Sequence, residues 1–409
     1  MPDSQPPPRD GAAADPTALL LCGARLADGR IVDVRIGAGR IEAVGTAGSL
    51  PPHPSRLDLT GHLLLPAPAE PHAHGDTALT AETSGPVSYA PADIQRRATE
   101  AALLQLGHGA TALRCHVRIG DVQGLGALEA VLAARRSLRG LADLRAVAVP
   151  RVLTGTAGAE GLALLHDAMK MGAAVVGGCP DDDPDPAGFA EAALEAAAEH
   201  GRPVDLHTHG DDPARLTRLA TMAGGLRQRV TLGPCAGLAL LPRELAARAA
   251  DRLAASDVGV VCLPQGGCAG VAHRGSAPVR LLRAAGVRIA AGSGALRDAV
   301  CNPVGRGDPL EAAYLLASQS GLVPEDAYDR VAAAAREVMG LPEVRVEAGF
   351  PAELLAVRGE RVRTALSLAY SRIVIHRGRV VARTSAVREY CDSAAALELP
   401  LQGRADGSP

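Results

Sequence analysis

Eight short apolar runs, most of them followed by a stretch with helical spacing, limit most strongly how this chain can fold. After the first run, their starts recur about every thirty residues, the length of a strand plus its crossover helix. Residues 91–107, for example, have helical spacing and end in glycine. We therefore predict a (β/α)8 TIM-like barrel rather than an open sheet. The predicted barrel strands are Leu63–Pro66, Ala110–Val117, Leu144–Pro150, Ala173–Gly178, Pro203–His209, Arg229–Pro234, Val258–Pro264 and Val287–Ser293.

Both ends of the chain have a different pattern. Residues 18–59 are short alternating segments separated by turn pairs such as Asp28-Gly29, which is typical of a β meander. Short strands around glycine turns return at 349–359 and 371–384. We predict that the two ends pair into one small β-sandwich beside the barrel. The predicted boundaries are a disordered arm at 1–16, sandwich parts at 17–61 and 346–388, the barrel at 62–345 and a tail at 389–409.

Composition excludes several classes of protein. A formal net charge of −3 does not suggest a nucleic-acid or membrane surface. The start of the chain is rich in proline and acidic residues, unlike a signal peptide, and no apolar run reaches membrane-spanning length. The eight cysteines have no zinc-knuckle spacing, which favours reduced, buried thiols. We predict a cytoplasmic protein that acts on a small molecule, and a homo-oligomer is left open.

Histidines stand where a barrel places its chemistry, at the carboxyl ends of strands. His72 and His74 are two apart after the first predicted strand, and His207 and His209 are two apart at the end of the fifth. Alternate residues of a strand point the same way, so these imidazoles could face one ion. An HxH pair alone is a weak signal, because solvated and core histidines are common. With a further histidine on strand five, the metal-ligand interpretation is favoured.

A set of motifs in matching order carries a resemblance to a known family. The chain resembles the amidohydrolase superfamily, and within it the cytosine deaminase and N-isopropylammelide amidohydrolase branch. The resemblance implies a metal-binding barrel with a sandwich from both chain ends. It also implies one divalent ion, zinc or iron, held by His72, His74 and His207, and hydrolysis of a non-peptide C–N bond. The motifs are GHLLLPAPAEPHAHGDTALT, GHGATALRCHV, MGAAVVGGCP, GRPVDLHTH, RDAVCNPVGRGDPLEAA and the closing GFPAELLAV and RIVIHRGRVVA.

Several reactive positions of that branch are substituted here. The proton-shuttle glutamate after strand five is Gly210, the strand-six histidine is Pro234, and the strand-eight aspartate is Gly294. None of these three residues can move a proton, although hydrolytic deamination needs a base and an acid. Arg151 stands where the branch often has an amide-reading glutamine, which favours an anionic substrate. The metal site is thus incomplete relative to the family, and we expect ordinary cytosine deamination to be absent or very weak.

Nearby residues could substitute for the lost groups. His209 could act as a fourth ligand or a catalytic group, and Asp211 could replace the shuttle. Asp212 precedes a helical stretch and is predicted to cap it. Asp298 matches a loop aspartate of the branch, which predicts a structural or substrate-facing role. Cys235 could donate a thiolate, but an inert buried thiol is the more ordinary interpretation.

Three interpretations follow from these residues. The chain is a divergent enzyme that hydrolyses a C–N bond of a small cyclic amide or amidine, or it is a degenerate pseudoenzyme that binds a small molecule or a partner subunit. The third interpretation, histidines with a purely structural role, is the weakest given the match. Metal content separates the first two from the third, and turnover separates the first from the second.

Overall fold

The computed structural model describes residues 18–83, 85–266, 275–368 and 371–386. The predicted disordered arm and the predicted tail lie outside these residues. The predicted domain boundaries stay predictions. None of the described helices is long and apolar enough to cross a membrane.

The described residues contain sixteen strands and eleven α-helices. The strands are β1 (Leu19–Arg25), β2 (Ile31–Gly37), β3 (Arg40–Thr46), β4 (Arg56–Asp58), β5 (His62–Pro66), β6 (Ala69–Ala73), β7 (Ala112–Ile119), β8 (Asp143–Pro150), β9 (Val175–Gly178), β10 (Val204–Thr208), β11 (Val230–Pro234), β12 (Gly259–Cys262), β13 (Ile289–Ala291), β14 (Leu354–Arg358), β15 (Arg372–His376) and β16 (Arg379–Thr384). The helices are α1 (Pro91–Gly107), α2 (Gly126–Ser137), α3 (Gly158–Met171), α4 (Pro186–His200), α5 (Pro213–Ala223), α6 (Arg243–Ala255), α7 (Val279–Ala284), α8 (Pro309–Ser320), α9 (Pro324–Val331), α10 (Ala333–Val338) and α11 (Val362–Leu368).

Strands β6 to β13 form a parallel barrel in which each strand pairs with the next along the chain. A parallel bridge between Ala73 and Gly294 brings the last strand back to the first. The predicted (β/α)8 barrel is therefore confirmed. Helices cover the outside, and buried Ala, Leu and Val side chains fill the space between the helices and the strands.

The first predicted barrel strand was wrong. Residues Leu63–Pro66 lie in β5, which pairs antiparallel with β14 in the second sheet. The barrel instead begins with β6, whose sequence AEPHA is much less apolar. Strand β5 looks like a barrel strand because it is buried on both faces: Leu63 and Leu65 contact the barrel core, and Leu64 contacts the core of the second sheet. The other seven predicted strands are confirmed, with ends shifted by up to two residues.

The second sheet is built from both ends of the chain, as predicted. Its strand order is β16-β15-β14-β5-β1-β2-β3, with β4 pairing beside β1. The sheet encloses its own apolar core, which includes Val34, Ile36, Leu354 and Ile375. Strand β5 connects the second sheet to the barrel, because the chain passes from it directly into β6.

Candidate metal centre

Four imidazoles meet inside the carboxyl end of the barrel. They belong to His72 on β6, His74 just after it, His116 on β7 and His207 on β10, and one nitrogen of each lies within 4.8 Å of the others. Nε2 of His72 is 3.3 Å from Nε2 of His74 and 3.0 Å from Nε2 of His207. The structure thus brings the three predicted ligands together and adds His116, which the sequence alone did not single out.

A buried carboxylate holds the first strand of this cluster. Glu70 accepts a hydrogen bond from the backbone N–H of His72 at 3.0 Å, and from the N–H and hydroxyl of Ser293. These bonds tie β6 to the chain that follows β13, where the barrel closes. A Cβ on Gly292 would lie only 2.6 Å from the carboxylate, so a glycine is needed there. Burial raises the pKa of Glu70 to about 7, although the bonds from Ser293 and His72 lower it.

A charged layer lies on the inner face of the barrel beneath the imidazoles. Arg114 is two residues before His116, and Asp205 is two residues before His207, so strand alternation stacks each pair. Nη1 of Arg114 lies 2.7 Å from Oδ2 of Asp205 and donates to Thr231 as well. Oδ2 of Asp205 also lies 3.2 Å from Nε2 of His116. The ion pair between Arg114 and Asp205 therefore lies directly beneath the imidazole cluster.

Burial favours the neutral form of three of the four imidazoles, those of His72, His74 and His207. It lowers the pKa of His72 and His74 well below the ordinary value, and the proximity of His116 acts in the same direction. Burial likewise lowers the pKa of His207 to about 3. Neutral imidazole is the form that offers a lone pair to a metal ion.

The arrangement fits a divalent transition metal. Two ligands on a tetrahedral ion with bonds of 2.0–2.1 Å lie roughly 3.3 Å apart, close to the measured separations of His72 Nε2 from its two neighbours. Nδ1 of His116 is buried without a hydrogen-bond partner, whereas Nε2 of the same ring lies beside Asp205. A buried imidazole nitrogen without a hydrogen-bond partner is costly, and the lone pair of such a nitrogen can bind a metal ion.

The two predicted catalytic residues lie outside the group of four. Strand β10 ends at Thr208, and the backbone N–H of His209 donates to Oδ2 of Asp181 at 2.8 Å. Asp211 is exposed in the following loop. Asp212 accepts hydrogen bonds from the N–H groups of Ala214 and Arg215, and the predicted cap of α5 is thus confirmed.

The two predicted substrate-binding residues lie on loops at the same end of the barrel. Arg151 directly follows β8 and is exposed. Asp298 is buried, and its Oδ1 accepts hydrogen bonds from the N–H groups of Val300 and Cys301. Its Oδ2 has no hydrogen-bond partner. One oxygen of Asp298 therefore supports its own loop, and the other is left for a further partner.

Two of the positions that we expect to be substituted, Gly210 and Gly294, have backbone conformations that favour glycine. Gly210 has φ +72°, and a Cβ there would lie 3.3 Å from Cα of Cys235. Gly294 has φ +71°, a conformation that L side chains rarely adopt. The thiol of Cys235 is fully buried, and burial raises its pKa, so the predicted inert thiol fits better than a thiolate.

The sequence held a cue for His116. Inward-facing residues of β7 alternate as Arg114, His116 and Arg118, so the imidazole shares a face with a buried arginine. This alternation along β7 predicts that the His116 side chain points into the barrel interior, at the strand end where the other histidines were expected.

A family model described as "Amidohydrolase family" matches residues 92–382. Among curated proteins, the pterin deaminase of Rhizobium rhizogenes (strain K84 / ATCC BAA-868) is 25% identical over 390 residues, covering 86% of this chain and 88% of the relative. The N-isopropylammelide isopropyl amidohydrolase of Pseudomonas sp. (strain ADP) is 27% identical over 294 residues, covering 63% of this chain and 69% of the relative.

Solved structures share the fold. The N-isopropylammelide isopropylaminohydrolase from Burkholderia multivorans ATCC 17616 superposes with a TM-score of 0.80 at 26% identity, covering 90% of this chain and 100% of that one. The 5-methylcytosine deaminase from Klebsiella pneumoniae, liganded with 5-fluorocytosine, gives a TM-score of 0.79 at 23% identity, covering 91% and 99%. At 23% identity, the likeness to the Klebsiella pneumoniae enzyme shows a shared fold.

Proposed function

Because this chain belongs to the amidohydrolase family, we propose that it hydrolyses a C–N bond of a small cyclic amide or amidine with one divalent metal ion. The observation that carries the proposal is the convergence of four imidazoles at the carboxyl end of the barrel. Relatives named as a pterin deaminase and an N-isopropylammelide amidohydrolase support this class of substrate.

The roles of the residues follow from their positions. His72, His74 and His207 would hold the ion, with His116 as a further ligand from β7. When bound, such an ion supplies Lewis acidity and lowers the pKa of a coordinated water. The metal-ligating group contains no carboxylate among the described residues, so proton transfer needs another group. His209 and Asp211, which follow β10, are the proposed carriers.

Two arginines favour an anionic substrate. Arg118 lies on the inward-facing side of β7 and pairs in register with Val149 of β8, and Arg151 lies two residues after Val149, just beyond the end of β8. The side chain of Arg118 is exposed and has no ion pair or hydrogen bond with another described residue. Burial, His116 and His207 lower the pKa of His74 most, and the charge of Arg118 adds to this effect, so the guanidinium lies near the cluster. A carboxylate on the substrate would match these groups.

Purified protein tests the proposal by metal analysis and by hydrolysis assays on cyclic amides, aminopyrimidines and pterins, each with and without a carboxylate substituent. We expect bound metal that His207→Ala removes, and turnover that falls in His209→Ala or Asp211→Asn. His62→Ala, in the second sheet, is the matched control and should change neither. Arg118→Gln should raise KM for the carboxylated compounds more than for the neutral ones. Protein without metal or turnover would overturn the proposal.

The alternative is a pseudoenzyme that binds the same ligands without turning them over. Gly210, Pro234 and Gly294 favour it, because none can replace the acid and base that hydrolysis requires. Under this alternative the protein binds metal and a small ring compound, the compound raises the melting temperature, and no product forms.

A further inference from the structure

We propose a second divalent-metal site in the outer helical layer, formed by His166 of α3 with Glu199 and His200 of α4. One ligand atom of each lies within 4.8 Å of the others. The site is separate from the four-histidine cluster and independent of the proposed hydrolysis. Its ligand would be a first-row divalent transition metal such as zinc.

The geometry brings the donors of two helices together. Nδ1 of His166 lies 2.9 Å from Nε2 of His200, and it lies 3.9 Å from a carboxylate oxygen of Glu199. The imidazole rings are tilted by 47° with centroids 5.1 Å apart, so they do not stack face to face. Two imidazoles and a carboxylate are a common ligand set for zinc with open positions for water.

The local charge also suits a cation. Glu199 forms no ion pair with a lysine or arginine among the described residues, so its carboxylate has no stronger competing partner. His200 is the last residue of α4, where the helix dipole and free carbonyls favour positive charge. His166 and His200 are half-buried, which would shield the ion in part from water.

Chain direction separates this site from the candidate catalytic cluster. His200 ends α4 only four residues before β10 begins at Val204, so it lies toward the amino-terminal end of the barrel strands. His207 lies near the carboxyl end of the same strand. Bound metal at the second site would therefore link α3 to α4 without entering the barrel mouth.

A simple hydrogen bond between His166 and His200 would place the rings similarly, and zinc binding separates the two explanations. Purified wild type, His166→Ala, His200→Ala and Glu199→Gln are titrated with zinc against a chromophoric chelator. We expect each histidine variant to bind one zinc ion fewer per chain than wild type, and Glu199→Gln to bind the same ion at least about tenfold more weakly. Glu195→Gln removes the same charge one turn earlier on α4, and should match wild type.

The difference between wild type and His166→Ala does not depend on whether the four-histidine cluster is also filled. A His72→Ala/His207→Ala variant should keep the second ion, so failure of the proposed function leaves this result unaffected. In wild type, zinc should also protect His166 from acylation by diethyl pyrocarbonate, measured by mass spectrometry, which needs no substitution. Equal zinc stoichiometry in wild type and His166→Ala, without protection of His166, would overturn the proposal.

Discussion

Arg114 and Asp205 form an ion pair across the inside of the barrel, with Nη1 and Oδ2 2.7 Å apart and each side chain 1% exposed. The pair is further satisfied by Thr231 and by the backbone carbonyl of Val338, to which Arg114 donates. Because both charges are buried, each depends on the other to offset its lost hydration.

Removing one partner of this pair should therefore be costly. We expect Asp205→Asn to lower the free energy of unfolding by about 3–5 kcal/mol, because it leaves the Arg114 charge buried and uncompensated. Guanidinium denaturation measures the change. Arg96→Ala, which breaks an exposed pair with Glu100, should cost less than about 1 kcal/mol. A comparable loss in the two variants would contradict the assigned role of burial.

The four-histidine arrangement predicts which residue supplies the fourth imidazole. We expect His116→Ala to weaken zinc binding at the barrel mouth by at least about tenfold, because its ring belongs to the converging group. His209→Ala should leave zinc affinity nearly unchanged. Competition titrations in a His166→Ala background exclude the proposed second site. A larger loss in His209→Ala than in His116→Ala would identify His209 as the ligand instead.

The resemblance implies that Gly294 replaces the family's strand-eight aspartate, so we expect Gly294→Asp to provide an anionic ligand. We expect tighter zinc binding than in Gly294→Ala, the variant with the same backbone strain and no carboxylate. Both variants should lose about 1–2 kcal/mol of stability, because Gly294 has a left-handed φ. Zinc titration of the two variants measures the contribution of the carboxylate to metal affinity. Denaturation measures the stability lost through backbone strain. Equal zinc affinity in both would show that residue 294 does not reach the ion.

Asp308 links the barrel helices to the second sheet and should give pH-dependent stability. It caps α8 and accepts two hydrogen bonds from Arg372 on β15, at 2.8 and 2.7 Å. Burial raises the pKa of Asp308, but Arg372 outweighs it and the net pKa is lowered. The stabilisation is therefore full above the unfolded pKa of about 3.9, and it is lost as pH falls through the lower folded pKa.

Asp308→Asn tests this dependence, because the amide keeps a capping oxygen and removes the charge. We expect Asp308→Asn to be much less stable than wild type at pH 7, and we expect this difference to shrink as the pH is lowered toward 3. Urea denaturation at each pH measures the difference. Asp212→Asn, at the cap of α5, should lose less stability at pH 7. A difference between wild type and Asp308→Asn that grows on acidification would contradict the sign of the shift.

Cytosine should not be an ordinary substrate. The resemblance implies that Gly210, Pro234 and Gly294 occupy the three proton-handling positions of the branch, and the positive φ of Gly210 and of Gly294 disfavours larger side chains there. We expect no deamination, or deamination far below the usual enzymatic range of about 1–1,000 per second. The ultraviolet change from cytosine to uracil measures it. Turnover within that range would refute the expectation.

Much of the fold could be read from the sequence because periodic burial is a local property. Seven of the eight barrel strands are apolar runs between helical stretches of the sequence. Both chain ends have the alternating pattern of short strands. The exception is β6, where Glu70 and Pro71 interrupt the expected apolar pattern. The buried carboxylate of Glu70 accepts hydrogen bonds from nearby His72 and from Ser293, which is more than two hundred residues away. A contact at such distance leaves no trace in the local pattern.

The sequence by itself determined the barrel, the sheet built from both chain ends, and three histidines at the ends of strands one and five. Only the tertiary structure decided which fourth imidazole joins them. Strand alternation predicted His209 beside His207, but β10 ends at Thr208 and the chain turns at Gly210. His116 comes instead from a neighbouring strand. Strand spacing fixes which way a side chain points within a strand, whereas convergence across strands depends on register and on where each strand stops.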